Sequence, residues 1–257
     1  MPKKPQNDFE VIEPALPVVE QVLELEPANV ATLEAPRAMS LAGMVRNLTR
    51  DLSRLATPGE VNLIVNLAFS STAKHYGADL ARFVLSKNDS GGNCLLVGGD
   101  PNAHLSGILA NNGDPSRFFF ASLSDAQELA SNFPILALFP PAKLGPDGAE
   151  PWLELAQQAA NSGAAVLIVC GVKGDESRRR WKLDIGEQPR SIAHRIWLCG
   201  TGRTPSEPHT VCPFVDDDAA PGAYIFKESG GSVSLLPGRH KDWRAVLRHN
   251  GGTDWTL

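Results

Sequence analysis

The length, composition and charge of the chain favour a single α/β domain with an additional tail. The chain has 257 residues, 42% of them hydrophobic and 21% charged, which is enough apolar material for one sizeable core. No apolar run approaches the length needed to cross a bilayer, and the opening residues MPKKPQNDFEVIEP place charge and proline where a signal peptide has its apolar segment. These features exclude membrane insertion and predict a cytoplasmic protein.

The first 37 residues differ in composition from the rest of the chain. Residues 1–36 contain seven carboxylates against two lysines, which gives the same net charge of −5 as the whole chain, together with six prolines. This composition predicts a disordered, acidic and proline-rich tail over residues 1–37. Two interpretations are open: a solubilising tail, or a peptide that docks on a protein partner as a short helix or strand through Val18, Val19, Val22 and Leu23.

From residue 38 to residue 237 the sequence alternates between helical and extended patterns. Helices are predicted over 40–55, 73–86, 124–131 and 151–162, after Asp100 and near Ser191; strands are predicted over 61–67, 93–99, 135–139, 164–170, 195–200, 210–214 and 223–227, and in SRFFFASL. The strands are almost wholly apolar, which is typical of a mostly parallel sheet with helices on both faces. A C-terminal hairpin should close one edge of the sheet, and residues 238–257 are predicted to form a basic tail.

The segment VNLIVNLAFSSTAKHYGADLARFVL has the order of a phosphate-binding loop: an apolar strand, small polar residues, a lysine and an amphipathic helix. Aligned on GxxxxGK[ST], the chain has Ala68 and Ala73 at the two glycines, retains Lys74, and has His75 at the metal-binding hydroxyl. Lys74 either binds a phosphate or another anion beside the helix N-terminus, or is a solvated lysine that opens the helix. The candidate nucleotide-binding or anion-binding residues are Ser70, Ser71, Thr72, Lys74, His75 and Asp100.

The order of the motifs over Pro58 to Pro237 resembles RecA-like ATPases of the hexameric replicative-helicase and KaiC type. The resemblance is carried by PGEVNLIVNLAFSSTAKHYGADLARFVL, CLLVGGDP, ILALFPPAK, SGAAVLIVCGVKGDE and SIAHRIWLCG. It implies a RecA-like α/β fold whose functional groups lie at the ends of these strands.

The resemblance also implies acidic and polar groups that this chain lacks. In the family, the second strand ends in an acidic pair that activates water, where this chain has Gly99 and Asp100. A later strand ends in the aspartate that orients Mg²⁺, where this chain has Phe139, whose ring is expected to occupy the metal's space. The next strand ends in a polar sensor, where this chain has Cys170 and Gly171. Such losses predict poor metal binding and no activated water, and hence no cofactor.

Two interpretations of Asp100 are open. Asp100 could serve as the missing acid of an active, ATP-dependent nucleic-acid motor. Alternatively, Asp100-Pro101 is only a turn and a helix cap.

A basic segment follows the strongest predicted strand. In GVKGDESRRRWKLDIGEQPRS, basic side chains surround a tryptophan, a combination that suits phosphates and a stacked base. The resemblance implies that a loop at this place faces a central channel and touches DNA. Acidic residues dilute the charge, so a merely solvated loop is the alternative. The candidate nucleic-acid-binding residues are Lys173, Arg178, Arg179, Arg180, Trp181 and Lys182.

Other catalytic patterns are weak. The six histidines share no metal-ligand spacing, so no metal site is predicted, and the four cysteines form no CxxC pair, which favours buried, reduced thiols. The chain also resembles the MinD-like tyrosine autokinases of exopolysaccharide export, although that family's C-terminal tyrosine cluster is missing, since only Tyr76 and Tyr224 are present.

The sequence therefore predicts a catalytically inactive RecA-like protein, a pseudo-ATPase, that binds or scaffolds. Its expected partner is a protein, either an active ATPase relative or a copy of itself, with nucleic acid as a further possible partner. The alternatives are an active ATP-dependent motor and a MinD-like regulator of exopolysaccharide export.

Overall fold

The structure is a computed structural model that describes residues 50–67, 76–88, 92–142, 144, 146–175, 180–186, 188–200, 209–215 and 223–240. All of these residues belong to one compact unit, Met39–Leu257. The acidic tail with Val18, Val19, Val22 and Leu23, and residues 241–257 of the predicted basic tail, lie outside the described residues.

One sheet of ten strands organises the described residues. The strands are β1 Val61–Asn66, β2 Cys94–Val97, β3 Phe118–Ala121, β4 Ile135–Leu138, β5 Ala165–Asp175, β6 Arg180–Leu183, β7 Arg195–Gly200, β8 His209–Val215, β9 Ala223–Ser229 and β10 Ser232–His240. Their spatial order is β10-β9-β8-β7-β1-β5-β4-β2-β3, with β6 paired to β5 off this path. The strands from β7 to β3 in this order are parallel, whereas β6, β8, β9 and β10 pair antiparallel. The predicted mostly parallel sheet with an edge hairpin is confirmed.

Helices connect the strands. They are α1 Tyr76–Ser86, α2 Pro101–Ala110, α3 Leu123–Leu129, α4 Pro146–Asn161 and α5 Gln188–Ile192, together with short 3-10 turns at Arg54–Ala56, Pro115–Arg117 and Ala130–Asn132. Residues 50–53 are helical, at the end of the helix predicted over 40–55. Among the described residues, no helix is both long and apolar enough to span a bilayer.

The apolar composition of the strands follows from burial on both faces of the sheet. All six residues of β1 are buried. Leu63 and Val65 pack in one core cluster together with residues of α4, whereas Ile64 packs in a second cluster together with residues of α1. Because helices cover both faces, the strand has no solvent side and reads as a nearly continuous apolar run.

The helix α4 begins five residues before its predicted start at Pro151. Proline is favoured in the first turn of a helix, so the sequence suggests a start at that residue. In the structure Pro151 lies inside the helix, where its missing N–H removes one backbone hydrogen bond. Ala149 in the extra turn is buried in the core cluster that includes residues of β1, and this burial stabilises the turn.

The prediction of a charged loop after residue 170 is wrong. The strand β5 continues to Asp175, and β6 turns back along it, so that Lys173 pairs with Lys182 and Gly174 with Trp181. Only the base of this two-stranded ribbon joins the core, through Leu183 and its partner Val172, and the backbone pairing continues from there into the charged residues. The strand β10 was not predicted either. It ends at His240, so it includes the first three residues of the basic tail predicted over residues 238–257.

Candidate functional site

The carboxyl ends of the parallel strands surround a cavity of about 790 Å³. In open α/β sheets, ligands bind in the crevice outside these strand ends. Its wall is mostly apolar, with a few polar side chains. The residues that line the cavity include Asn66, Arg82, Gly98, Gly99, His104, Phe120, Asp125, Phe139, Trp152, Cys170, Gly171 and Asp184.

A tight turn at Gly98 and Gly99 closes the end of β2, where the family resemblance places an acidic pair. Both residues have positive φ, 78° and 72°. A Cβ on Gly98 would lie 2.7 Å from the carbonyl oxygen of Phe139 and 2.7 Å from Cη2 of Trp152. A Cβ on Gly99 would lie 2.6 Å from Nε2 of His104. Only glycine fits this turn, because both the backbone conformation and the surrounding space exclude a side chain.

His104 lies in the first turn of α2, and its side chain contacts the glycine turn at residues 98 and 99. Its Nε2 lies 2.9 Å from the carbonyl oxygen of Gly98, and its Nδ1 accepts a hydrogen bond from Nε of Arg82 at 3.2 Å. An acceptor at Nδ1 assigns the proton of the neutral ring to Nε2, which donates to Gly98.

The fold favours the neutral form of His104. Burial lowers the pKa of His104; the hydrogen bond to Gly98 opposes this effect, the guanidinium of Arg82 adds to it, and the carboxylate of Asp100 opposes it. Arg82 is itself paired with Asp79, 2.6 Å away.

The ring of Phe139 lies where the resemblance places the aspartate that orients Mg²⁺. It is buried, lines the cavity, and packs on His104 with 4.3 Å between the ring centroids. Phe120 lies near the other side of His104, 6.2 Å between centroids, and is 37% exposed at the cavity wall. These rings make this wall of the cavity aromatic.

Where the parallel pairing of β5 with β1 ends, the cavity wall carries the thiol of Cys170 and the carboxylate of Asp184, which follows β6. An oxygen of Asp184 accepts a hydrogen bond from the backbone N–H of Gly171 at 3.0 Å. Burial raises the pKa of the Cys170 thiol well above its ordinary value, and the carboxylate of Asp184 raises it further. Cys170 is therefore an uncharged, unreactive thiol. All four cysteines of the chain are free and buried, as the sequence predicted.

Asn66, the last residue of β1, is the least satisfied polar side chain of the cavity wall. It is 2% exposed, and neither its Oδ1 nor its Nδ2 has a hydrogen-bond partner among the residues that the structure describes. Its strand neighbours are Gly171 on β5 and Cys199 on β7. Neither Asn66 nor Asp184 was predicted as a site residue. The available signal for Asn66 was a polar residue at the end of an apolar run.

Of the predicted nucleotide-binding or anion-binding residues, the structure describes Asp100. The carboxylate of Asp100 caps α2 by accepting from the backbone N–H of Asn102 at 3.0 Å, and the residue is exposed. This geometry matches the turn-and-cap interpretation of Asp100-Pro101. The remaining candidates lie outside the described residues: Ser70, Ser71, Thr72, Lys74 and His75.

The predicted nucleic-acid-binding residues lie on the β5–β6 hairpin. Lys173, Arg180, Trp181 and Lys182 belong to its two paired strands. Arg178 and Arg179 lie outside the described residues. Within the described part of the chain, no three His, Cys, Asp or Glu side chains come together as a group that could hold a metal ion.

The comparisons with known proteins bear on the fold. No protein-family model and no curated protein matches the sequence. The crystal structure of a RadB recombinase matches with a TM-score of 0.54 at 12% identity, over 74% of this chain and 97% of that one. A KaiC-like protein from the hyperthermophilic archaeon Pyrococcus horikoshii matches with a TM-score of 0.51 at 11% identity, over 70% of this chain and 91% of that one. The chain has a RecA-like fold. Identities this low establish the fold and leave the activity to be argued from the site.

Proposed function

We propose that this chain is a catalytically inactive RecA-like protein that acts in the cytoplasm as a binding or scaffolding subunit. The observation that carries the proposal is the His104 cluster at the strand ends, defined as His104, Gly98, Gly99 and Phe139. Where the family resemblance places a water-activating acid and a metal-orienting aspartate, the chain has a glycine turn and a buried phenyl ring that both pack on His104.

The chemistry of the cluster argues against nucleotide hydrolysis. Phosphoryl transfer in this fold depends on oxygen ligands for Mg²⁺ and on a group that positions the attacking water. A phenyl ring and two glycines offer neither. His104 cannot take over as a general base, because Nδ1 accepts from Arg82 and Nε2 donates to Gly98, so neither nitrogen is available to a water.

One observation favours the rival function, an active ATP-dependent motor. The carboxylate of Asp184, directly after β6, lines the same cavity and accepts a hydrogen bond from the backbone N–H of Gly171 on β5. An acid at this place could orient a water or a metal ion, so Asp184→Asn is the variant that separates the two functions.

The decisive experiment is ATP turnover by the purified full chain with radiolabelled ATP and Mg²⁺. Three proteins are compared: the parent, Lys74→Ala and Asp184→Asn. We expect the same background rate for all three. A parent rate above both variants would overturn the proposal and assign catalysis to Asp184 and Lys74. In calorimetry, Mg²⁺ should not tighten whatever nucleotide binding exists; a magnesium-dependent gain in affinity would count against the proposal.

The acidic tail is the proposed protein-binding element. Because residues 1–36 lack a core-forming pattern, their deletion should leave the melting temperature nearly unchanged while weakening association with a partner that binds residues 16–27. Replacing Val18, Val22 and Leu23 by serine in the full chain should weaken the same association. A large loss of thermal stability on deletion would show that the tail is packed on the domain instead.

A further inference from the structure

The large apolar side chains that the described part of the chain exposes are concentrated at one edge of the sheet. There are six of them, and five belong to β3 or to the helices α2 and α3 on either side of it in the chain. The sixth, Val215, lies on β8. We call the five the edge patch: Leu105, Leu109, Phe119, Phe120 and Leu129. Exposed apolar patches of this kind are typical of surfaces that another chain covers.

The edge patch extends over both faces of β3. On one face, Phe120 lies near His104 of α2, with 6.2 Å between the ring centroids. Leu105 and Leu109 follow on the same helix, four residues apart and therefore on one side of it. On the other face, Phe119 packs on Phe133, with 5.2 Å between the centroids. The helix α3, which carries Leu129, packs against β3.

The backbone of β3 also has an open edge. The strand is one end of the sheet, and β2 is its one partner among the described strands. The carbonyl oxygen of Ala121 accepts from the N–H of Gly98, which directly follows β2, so this group faces β2. Because successive residues direct their backbone groups to opposite edges of a strand, those of Phe118 and Phe120 face outwards. An extended segment of another chain can pair with them.

The surroundings of the edge patch are negatively charged. Positions 100–134 contain four Asp or Glu residues and one basic residue, Arg117, a net charge of 1 − 4 = −3. The guanidinium of Arg117 already donates to the carbonyl oxygens of Asn88 and Gly92. All four acidic residues are exposed: Asp100, Asp114, Asp125 and Glu128. A segment with both apolar and basic side chains is therefore complementary to this edge.

Residues 241–248, KDWRAVLR, have this chemistry. They carry three basic side chains against one carboxylate, together with Trp243, Val246 and Leu247. The acidic tail is the opposite case, because its net charge of −5 over residues 1–36 would be repelled by the carboxylates around the patch. The basic C-terminal segment is thus the better match.

The β5–β6 hairpin is a weaker candidate for the same surface. Residues 172–187 contain five basic and four acidic side chains, so their net charge is only 5 − 4 = +1. Their aliphatic side chains, Val172, Leu183 and Ile185, pack in or against the core and are not available to a partner.

The position of residues 241–248 in the chain favours a second copy as their source. They follow β10, and β10 and β3 are the two ends of an order of nine strands, hence eight steps apart. At about 4.8 Å per step, the two edges are about 38 Å apart along the sheet. Residue 244 lies within about 14 Å of His240, because one residue spans at most about 3.5 Å. Measured along the sheet, the segment does not reach the edge patch of its own copy.

We propose that residues 241–248 of one copy bind the edge patch of a second copy, so that the chain assembles head to tail. Trp243, Val246 and Leu247 contact the apolar side chains of the patch, and the basic side chains pair with the carboxylates around it. Donor and acceptor are different surfaces, so the contact repeats from copy to copy and gives a series of oligomers. The inference rests on the proposed scaffolding function, for which it names the partner.

The test is sedimentation velocity of the purified full chain at increasing protein concentration. The parent should form dimers and then larger species. Arg244→Glu with Arg248→Glu reverses the charge of the segment, and Gln127→Lys with Glu128→Lys reverses that of the edge at two exposed positions. Each pair of substitutions should weaken association at least about tenfold. Asp125 is left unchanged because it accepts a hydrogen bond from the hydroxyl of Ser122.

A mixture of the two charge-reversed proteins shows whether these two surfaces meet. In the mixture, the acidic segment of one protein faces the basic edge of the other, and the unchanged edge of the first faces the unchanged segment of the second. Association should therefore return on mixing, although neither protein associates well alone. Two unrelated defects would not compensate each other in this way.

Apolar variants test the edge patch independently of charge. Leu109→Ser and Leu129→Ser, at positions 53% and 42% exposed, should each weaken association at least about fivefold. Val215→Ser is the matched control, since Val215 is 39% exposed on β8, and it should associate like the parent. Circular dichroism and the urea midpoint show that each variant is folded.

Two further variants test the other segments of the chain. Serine at Val18, Val22 and Leu23 changes the acidic tail, and alanine at Arg178, Arg179 and Arg180 changes the hairpin. Both proteins should associate like the parent. Loss of association in either would assign the edge patch to that segment and overturn the inference.

Three other results would overturn it: a parent that stays monomeric up to about 100 µM, association that persists in both charge-reversed proteins, or a mixture of the two that does not associate. None of these measurements involves nucleotide turnover. Their failure would leave catalytic inactivity and binding to a different protein intact, whereas ATP turnover by the parent would overturn the proposed function without affecting the sedimentation result.

Discussion

The ring of Trp152 lies so close to Gly98 that a Cβ on residue 98 would stand 2.7 Å from its Cη2 atom. The same Cβ would meet the carbonyl oxygen of Phe139 at 2.7 Å. The turn after β2 thus touches both α4 and the end of β4, and these contacts fix one wall of the cavity. Residue 98 must therefore be glycine both because of the packing around it and because of its backbone conformation.

Gly98→Ala should destabilise the protein by at least about 2 kcal/mol, because overpacking adds to the cost of a positive φ. Gly163→Ala is the matched control: Gly163 also has positive φ, 91°, but a Cβ there would meet nothing within 4 Å. It should cost about 1 kcal/mol, from the backbone alone. Urea unfolding of the two variants separates the packing cost from the backbone cost. Equal losses would show that the turn moves freely away from Trp152.

The stability of the fold should fall as the pH drops below about 6.5, the ordinary pKa of histidine. Burial lowers the pKa values of both His104 and His209. In the window between each lowered pKa and 6.5, the unfolded chain binds more protons than the native one, so the free energy of unfolding decreases with decreasing pH. Above this window the stabilisation is fully present.

Variants at the two histidines show how much each contributes to the dependence of stability on pH. His104→Phe should make the dependence of the urea midpoint on pH shallower between pH 7 and pH 5, whatever its effect on stability at pH 7. The double variant with His209→Phe should be shallower still. A slope that does not change in either protein would show that neither histidine is held neutral by the fold.

The fold was predictable where local pattern and packing agree. The run VNLIVN predicted β1 because burial on both faces demands apolar residues throughout the strand. The start of α4 was not predictable from its local pattern, because Pro151 is a good first residue of a helix, whereas the turn before it is stabilised by the burial of Ala149 in the core. The β5–β6 hairpin was missed because its residues are charged, and charge alone does not distinguish a loop from a pair of strands.

The order of the motifs led to the prediction that Gly99 and Phe139 replace acidic residues, and that prediction stays to be tested. The contacts that explain them come from elsewhere: His104 and Arg82 lie on different helices and meet only when those helices pack together. The pairing of buried amides is a tertiary property too: on the same strand, Nδ2 of Asn62 donates to the carbonyl oxygen of Leu55, whereas Nδ2 of Asn66 has no partner among the described residues.

Asn111 joins the end of α2 to the turn between β9 and β10. Its Nδ2 donates to the carbonyl oxygens of Gly107 at 2.7 Å and Gly231 at 2.8 Å, and its Oδ1 accepts from the N–H of Val233 at 2.9 Å. Because the residue is buried, Asn111→Ala should lower the free energy of unfolding by about 2–3 kcal/mol, as it leaves backbone groups unpaired. Urea unfolding measures the loss.

The control for Asn111 is its neighbour. Asn112 has a positive φ of 57°, which glycine adopts at no steric cost. Asn112→Gly should therefore change stability by less than about 0.5 kcal/mol. If Asn111→Ala is equally mild, the C-terminal hairpin does not depend on this contact.

The β5–β6 hairpin gives a prediction about nucleic acid. In its register, Lys173 pairs with Lys182 and Asp175 with Arg180. Phosphate contacts depend strongly on salt whereas base stacking depends little on it, so the two effects can be separated by mutation.

Two variants and one control test the hairpin with a fluorescent single-stranded oligonucleotide, by anisotropy across a range of salt concentrations. A triple alanine variant of Arg178, Arg179 and Arg180 should weaken binding and flatten its salt dependence, because fewer counterions are released. Trp181→Ala should lose about 1–3 kcal/mol of binding while keeping the parent's salt slope, because stacking depends little on salt. Lys227→Ala, at an exposed position of β9, should leave affinity and slope close to those of the parent. If the triple variant and Trp181→Ala both match the parent at every salt concentration, the hairpin does not bind single strands, and the protein-scaffold role stands alone.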